Sequence, residues 1–187
     1  MKAVILAAGR GIRMMPLTAK TPKPLLKVKG KAIIDYVLDA LPFTIDEVII
    51  VVDYLGDQIK KHIGKKNRGF KTRYVTGSDK GNAFSFFATK KYLNDERFLL
   101  IYGDELPNPA NVTRCMDEDL SVLTFGNLKI DGVMVLNTDI FDYFSPDSPN
   151  FKDMVDSFVW DHDVSFVEAK NFIGEINTPK DLERVNG

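Results

Sequence analysis

Residues 1–26, MKAVILAAGRGIRMMPLTAKTPKPLL, gather residue types suited to holding a polyphosphate. Gly9 and Gly11 stand directly behind a short apolar run, and Arg13, Lys20 and Lys23 follow within one segment. Glycines at such a turn admit positive φ and let a ligand approach the backbone. A loop that aims amides and cations at one point is suited to phosphate. Two well-known phosphate loops do not fit. A dinucleotide fingerprint needs a third glycine near Met14 and a helix after it. A P-loop closes with Gly-Lys-Ser/Thr, where this chain has Gly11-Ile12-Arg13. The second group with chemical potential is Asp104, in FLLIYGDEL, placed just past another apolar run. An acid after glycine also serves as a turn or capping residue, so Asp104 alone does not define a site.

These residues need elements to hold them. Val4 to Leu6 reads as a first strand, and EVIIVV (47–52) as a second, continuously apolar one. Ile34, Val37, Leu38 and Leu41 have helical spacing over 33–41, and Leu55, Ile59 and Ile63 share one face of a helix over 55–63. FKTRYV (70–75) alternates as a strand, 82–93 reads as a helix, and RFLLIYGD supplies the next strand. Pro16, Pro22 and Pro24 keep the segment after the glycines extended, carrying its cations over the strand end. Phe84, Phe86 and Phe87 read as core residues of the 82–93 helix. His62 and His162 suggest no shared site. Alternation of apolar strands with helices predicts an α/β fold, a Rossmann-like three-layer sandwich around a mostly parallel sheet. Ligands in such sheets bind at the carboxyl ends of strands, where both the glycine loop and Gly103-Asp104 fall.

Composition narrows the class. The 187 residues suit one domain spanning 1–187, and the net charge of -1 offers no general nucleic-acid surface. One cysteine, Cys115, allows no internal disulfide and fits a reducing compartment. No apolar run is long enough to span a membrane, and no signal peptide is evident. The expectation is a cytoplasmic protein that binds neither nucleic acid nor membrane. A homo-oligomer is compatible with the sequence, which does not fix the oligomeric state.

The stretch LAAGRGIRMMPLTAKTPKPLLKVKGKAIIDYVLDAL resembles the signature of nucleotidyltransferases that activate sugar 1-phosphates, the glucose-1-phosphate thymidylyltransferase-like family. Gly9, Gly11, Arg13, Pro16, Leu17, Thr18, Pro22, Lys23 and Pro24 match its pattern in order. Two positions depart from it: Ile12 replaces a hydroxyl residue, and Ala32 replaces a proline. The resemblance implies that Leu6, Ala7, Ala8, Gly9 and Gly11 line the nucleotide site and that Arg13 and Lys23 are catalytic. It implies that Asp104 is a ligand of Mg2+, and Mg2+ suits a site with few carboxylates. FIGEINTPKDLERV resembles the segment closing the family's core, which puts Glu175 at the second metal-ligand position and Asn177 where the pattern has glycine. Gly81-Asn82-Ala83 matches the segment against the base, and Thr76 is the nearest equivalent of a base-reading residue. The second half is shorter than the pattern and lacks its Glu-Lys-Pro. Lys129 is a candidate for the missing phosphate-binding lysine, or a solvated turn residue.

The reaction so implied transfers a nucleoside monophosphate from a nucleoside triphosphate to a phosphorylated small molecule, a sugar 1-phosphate, releasing pyrophosphate. Two alternatives stand beside it. One is a cytidylyltransferase for a phosphocholine-like phospho-alcohol or phospho-amine, favoured by the shortened second half and Glu175-Ile176-Asn177. The other is a nucleotide-binding regulatory protein without catalysis.

Overall fold

The computed structural model describes residues 1–64, 69–94, 96–171 and 176–187. The strands are β1 (Lys2–Ala7), β2 (Lys27–Val28), β3 (Lys31–Ala32), β4 (Glu47–Val52), β5 (Lys71–Thr76), β6 (Phe98–Tyr102), β7 (Ser121–Phe125), β8 (Lys129–Leu136) and β9 (Ser165–Glu168). The helices are α1 (Ile33–Asp39), α2 (Gly56–Ile63), α3 (Asn82–Phe87), α4 (Pro109–Met116), α5 (Phe151–Asp161) and α6 (Pro179–Asn186). β2 and β3 form a small hairpin, and the others make one seven-stranded sheet in the order β5-β4-β1-β6-β8-β7-β9. β1 pairs parallel with both β4 and β6, whereas β8 runs antiparallel to its neighbours β6 and β7.

The continuous apolar runs have the physical cause expected of them, because both faces of the sheet are covered. Ala3, Ile5 and Ala7 of β1 pack with Ile34 and Val37 of α1, Ile59 and Ile63 of α2, and Val112 and Cys115 of α4. Val4 and Leu6 face the other way, toward Phe86 of α3 and Met154, Val155 and Phe158 of α5. Each fully buried Ile or Phe contributes roughly 1.5–3 kcal/mol relative to exposure. Phe86 stacks on Phe141 at 4.7 Å and meets Phe151 edge-on at 5.3 Å, while Phe87 stacks on Phe144 at 4.2 Å. Phe86 is thus a core residue, as expected, and Phe87 is half-buried against the same cluster.

The helix expected over 82–93 is shorter than that. α3 ends at Phe87, where the buried Thr89 hydroxyl donates to the Phe86 carbonyl at 2.7 Å and captures an acceptor of the last turn. A 3-10 turn, Lys90–Tyr92, follows. Each histidine has a carboxylate partner from a distant segment. His62 meets Asp35 at 2.8 Å, and His162 meets Asp139 at 3.5 Å. Among the described residues no helix is long and apolar enough to cross a membrane.

Candidate active site

The chain enters the sheet at β1, moves outward through β4 to β5, and returns to the other side of β1 at β6. This reversal opens a crevice between the carboxyl ends of β1 and β6, the usual ligand position in such sheets. The glycine loop leaves β1 there, and Gly103-Asp104 leaves β6 beside it. Gly103 donates its backbone N–H to Leu6 at 2.8 Å, and a side chain at 103 would press on Ala7, Ile5 and the Leu6 carbonyl. Glycine therefore lets Asp104 reach the loop.

Residues 8–26 contain no α-helix. Three 3-10 turns, Ile12–Met14, Leu17–Ala19 and Lys23–Leu25, carry the chain instead. Gly11 opens the first with φ 61, and the buried Thr18 hydroxyl donates to its carbonyl at 2.8 Å. A Cβ at Gly11 would also crowd Thr18, so both conformation and space require glycine. Beneath the loop, Met14, Leu26, Val28, Ile33 and Ile176 form a separate apolar cluster that anchors it.

The cations converge here. The Lys23 ammonium meets the Asp104 carboxylate at 2.6 Å and donates to the Asn177 side-chain oxygen at 3.3 Å. Arg13 donates to the same oxygen at 2.9 Å. Lys23 is not carried out into solvent as the proline-rich segment suggests. It is 6% exposed, folded back under the loop by the turn at residues 23–25. Asp104 is partly exposed.

A cavity of about 530 Å³ opens over these residues, with Leu6, Ala7, Ala8, Gly9, Gly11, Arg13, Lys23 and Asp104 on its wall. Lys129 lines its far side, with its ammonium 4.9 Å from the Phe125 ring. A second space of about 360 Å³ shares the glycine loop and continues past Asp53, Ser78, Asp79 and Gly81. Thr76 is not on either wall. It is exposed at the end of β5, and Ser78 and Asp79 line the space instead. Ser78 donates its N–H to the Ser85 hydroxyl at 2.9 Å, which pins this turn to α3. Glu175 lies outside the described residues. Of the two carboxylates expected to hold a metal, only Asp104 lies among the described residues, and it lines both spaces beside the loop. Among the described residues no cluster of three or more metal-binding side chains occurs.

The cavity's far wall holds residues that the sequence pattern did not single out. Glu105 hydrogen-bonds to Asp131, and both line the cavity with Tyr102, Phe151, Lys152 and Asp156. Burial, then the charges of Asp131 and Asp104, hold the Glu105 carboxyl well above the usual carboxylate range, opposed by Lys23. Glu105 therefore keeps its proton to a higher pH than a solvated carboxyl does. Burial and then the charge of Glu105 also raise the Tyr102 hydroxyl. The available signal for α5 was Asn150, whose side chain accepts from the Lys152 N–H, ahead of apolar residues at 151, 154, 155 and 158.

The sequence matches the family described as nucleotidyl transferase over residues 2–118. This chain belongs to that family. It is 33% identical over 129 residues to the UTP–glucose-1-phosphate uridylyltransferase AglF of Haloferax volcanii, covering 67% of this chain and 53% of that protein. Over 66 residues it is 47% identical to the CTP:phosphoglutamine cytidylyltransferase of Campylobacter jejuni, 35% of this chain and 26% of that one. The chain spans about half, or less, of the length of these relatives. The fold agrees with solved structures. The UDP-glucose pyrophosphorylase of Acinetobacter baumanii superposes with a TM-score of 0.83 at 13% identity, over 99% of this chain and 91% of that one. A candidate glucose-1-phosphate thymidylyltransferase of Bacillus anthracis, solved with sucrose, gives 0.81 at 21% identity, over 100% and 94%. The three-layer, mostly parallel sandwich expected from the sequence is therefore the fold. The residues matched to the family include the glycine loop, Lys23 and Asp104, and stop before β7.

Proposed function

We propose that this protein transfers a nucleotidyl group from a nucleoside triphosphate to a phosphorylated small molecule, a sugar 1-phosphate, and releases pyrophosphate. The observation that carries this reading is the meeting of Lys23, Arg13 and Asp104 under the glycine loop, at the crevice between β1 and β6. The backbone from Leu6 to Gly11 cradles the triphosphate. Arg13 and Lys23 neutralise its charge, and Lys23 exchanges Asp104 for phosphate oxygens as the nucleotide enters. An oxygen of the acceptor phosphate, already ionised at neutral pH, attacks the α-phosphorus in line. The new oxygen–phosphorus bond forms as the bond to the β-phosphate bridge breaks, and pyrophosphate leaves with that electron pair. No general base is needed, so positioning and charge neutralisation supply the rate enhancement. Lys129 holds the acceptor phosphate from the far wall.

Asp104 and Glu175 would hold Mg2+. Asp104 fits, because a partly exposed carboxylate beside the phosphate loop offers a hard oxygen donor with room for water and phosphate oxygens. When bound, the ion supplies positive charge against the phosphates.

A second reading concerns the acceptor. The Glu105–Asp131 pair, next to the Tyr102 and Phe151 rings, supports an acceptor bearing a cationic amine, such as a phosphocholine-like compound used with CTP. Pyrophosphate release with Mg2+, four nucleoside triphosphates and a panel of sugar 1-phosphates and phospho-amines tests both readings. Release with a sugar phosphate supports the first and release with a phospho-amine the second. Nucleotide binding without release under any combination refutes both.

A further inference from the structure

We infer that Asn177 is a positioning residue that sets Arg13 and, through a longer bond, Lys23 toward the triphosphate without cancelling their charge. This rests on the nucleotidyl-transfer reading of the site. Asn177 is fixed from both sides. Ile176 before it is 1% exposed and packs with Met14, Leu26, Val28 and Ile33 under the glycine loop. Behind it, the Asn177 N–H donates to Asp181 at 3.0 Å. Asp181 also accepts from the Thr178 N–H at 2.8 Å and from its hydroxyl at 2.9 Å, closing a capping box on α6. The backbone at 177 is therefore held against both the loop and the last helix.

The side chain projects from this anchor to the wall shared by both cavity spaces. Its oxygen accepts from Arg13 at 2.9 Å and from Lys23 at 3.3 Å. Two cationic donors at one end of an amide require the oxygen there, because the amide nitrogen can only donate. The partner's charge matters. A carboxylate would also orient the two cations, but it would compete with phosphate for them. A neutral carbonyl reduces the freedom of two long side chains and leaves both charges for the ligand.

A double-mutant cycle read by magnesium–nucleotide binding, with pyrophosphate release in parallel, tests the inference. Asn177→Ala is expected to raise the nucleotide dissociation constant about tenfold with an unchanged melting temperature. In an Arg13→Ala background the same change is expected to cost about threefold or less, because its target is gone. Asn177→Gly is expected to behave as Asn177→Ala does. Equal factors in both backgrounds would overturn the inference and leave the nucleotidyl-transfer reading standing. Wild-type protein that binds no magnesium nucleotide would instead remove that reading, and the inference with it.

Discussion

On the proposed reading the cavity has a nucleotide end and an acceptor end, and the two are built in different ways. At the nucleotide end, Lys23, Asp104, Arg13 and Asn177 already touch one another, and turns, close packing and a helix cap hold them there. Its loop lies within one run of sequence and inside the matched 2–118. At the acceptor end, Glu105, Asp131 and Lys152 come from three separate segments, two of them beyond residue 118. There a carboxyl pair sits against rings. On the proposed reading the first end neutralises phosphate with parts set in advance, and the second end selects the acceptor.

The contrast predicts that damage to the nucleotide end costs turnover and damage to the acceptor end changes selectivity. The largest effect is expected from Lys23→Ala. Turnover should fall on the order of a hundredfold or more, as on loss of a preorganised electrostatic donor. The fold should survive, because Asp104 is open enough to be hydrated. Steady-state kinetics beside a thermal melt checks this, and near-normal turnover in folded protein would remove Lys23 from the mechanism.

Next in size are the two carboxylates. Asp104→Asn and Glu175→Gln should each raise the magnesium concentration for half-maximal activity, by about tenfold. If they serve one ion, the double variant should be only slightly worse than the weaker single one, since residues acting as a unit are not additive. Independent losses in a magnesium titration would assign them to different sites.

At the acceptor end, Asp131→Asn, which removes the charge facing Glu105, should leave the nucleotide KM unchanged and alter the ratio of rates for cationic and neutral acceptors about fivefold to tenfold. Glu105→Gln should change the pH profile of stability. The folded protein keeps the Glu105 proton to a higher pH than the unfolded chain, where the reference value is 4.5. Folded protein therefore binds more protons in that window, and stability falls as pH rises from there through the raised value. Melting curves collected over pH in wild type and Glu105→Gln check this. The variant should lose that part of the decline, and identical profiles would contradict the raised Glu105 carboxyl.

The smallest effect concerns Ile12. It is 74% exposed, so it does not pack into the core. Ile12→Thr should leave the melting temperature unchanged and tighten nucleotide binding by about 0.5–1.5 kcal/mol if the new hydroxyl reaches a phosphate. Calorimetric titration measures it, and weaker binding would show that the apolar side chain itself contacts the ligand.

The same contrast explains what could be read in the sequence. β1, β4 and β6 were legible because continuous apolar runs are what a doubly covered parallel strand requires. The loop was legible because Gly11, Thr18 and Lys23 lie within one short run, and the turns they make pack on one another. Burial of Lys23 was not legible, because it depends on Asp104 and Asn177, 81 and 154 residues away. Spacing along the chain points to Thr76, whereas the turn pinned by Ser78 and Ser85 decides which side chains face the cavity. The Glu105–Asp131 pair needs β6 and β8 to be neighbours, a sheet order that no local spacing encodes.

The central claim is transfer of a nucleotidyl group to an acceptor phosphate. Phosphorus-31 NMR of the wild-type protein with Mg2+, each nucleoside triphosphate and the acceptor panel reads it directly. The account predicts paired resonances of a new unsymmetrical diphosphate, growing together with free pyrophosphate and only when an acceptor is present. Triphosphate signals unchanged across the panel, or nucleoside monophosphate formed without any new diphosphate, would contradict it.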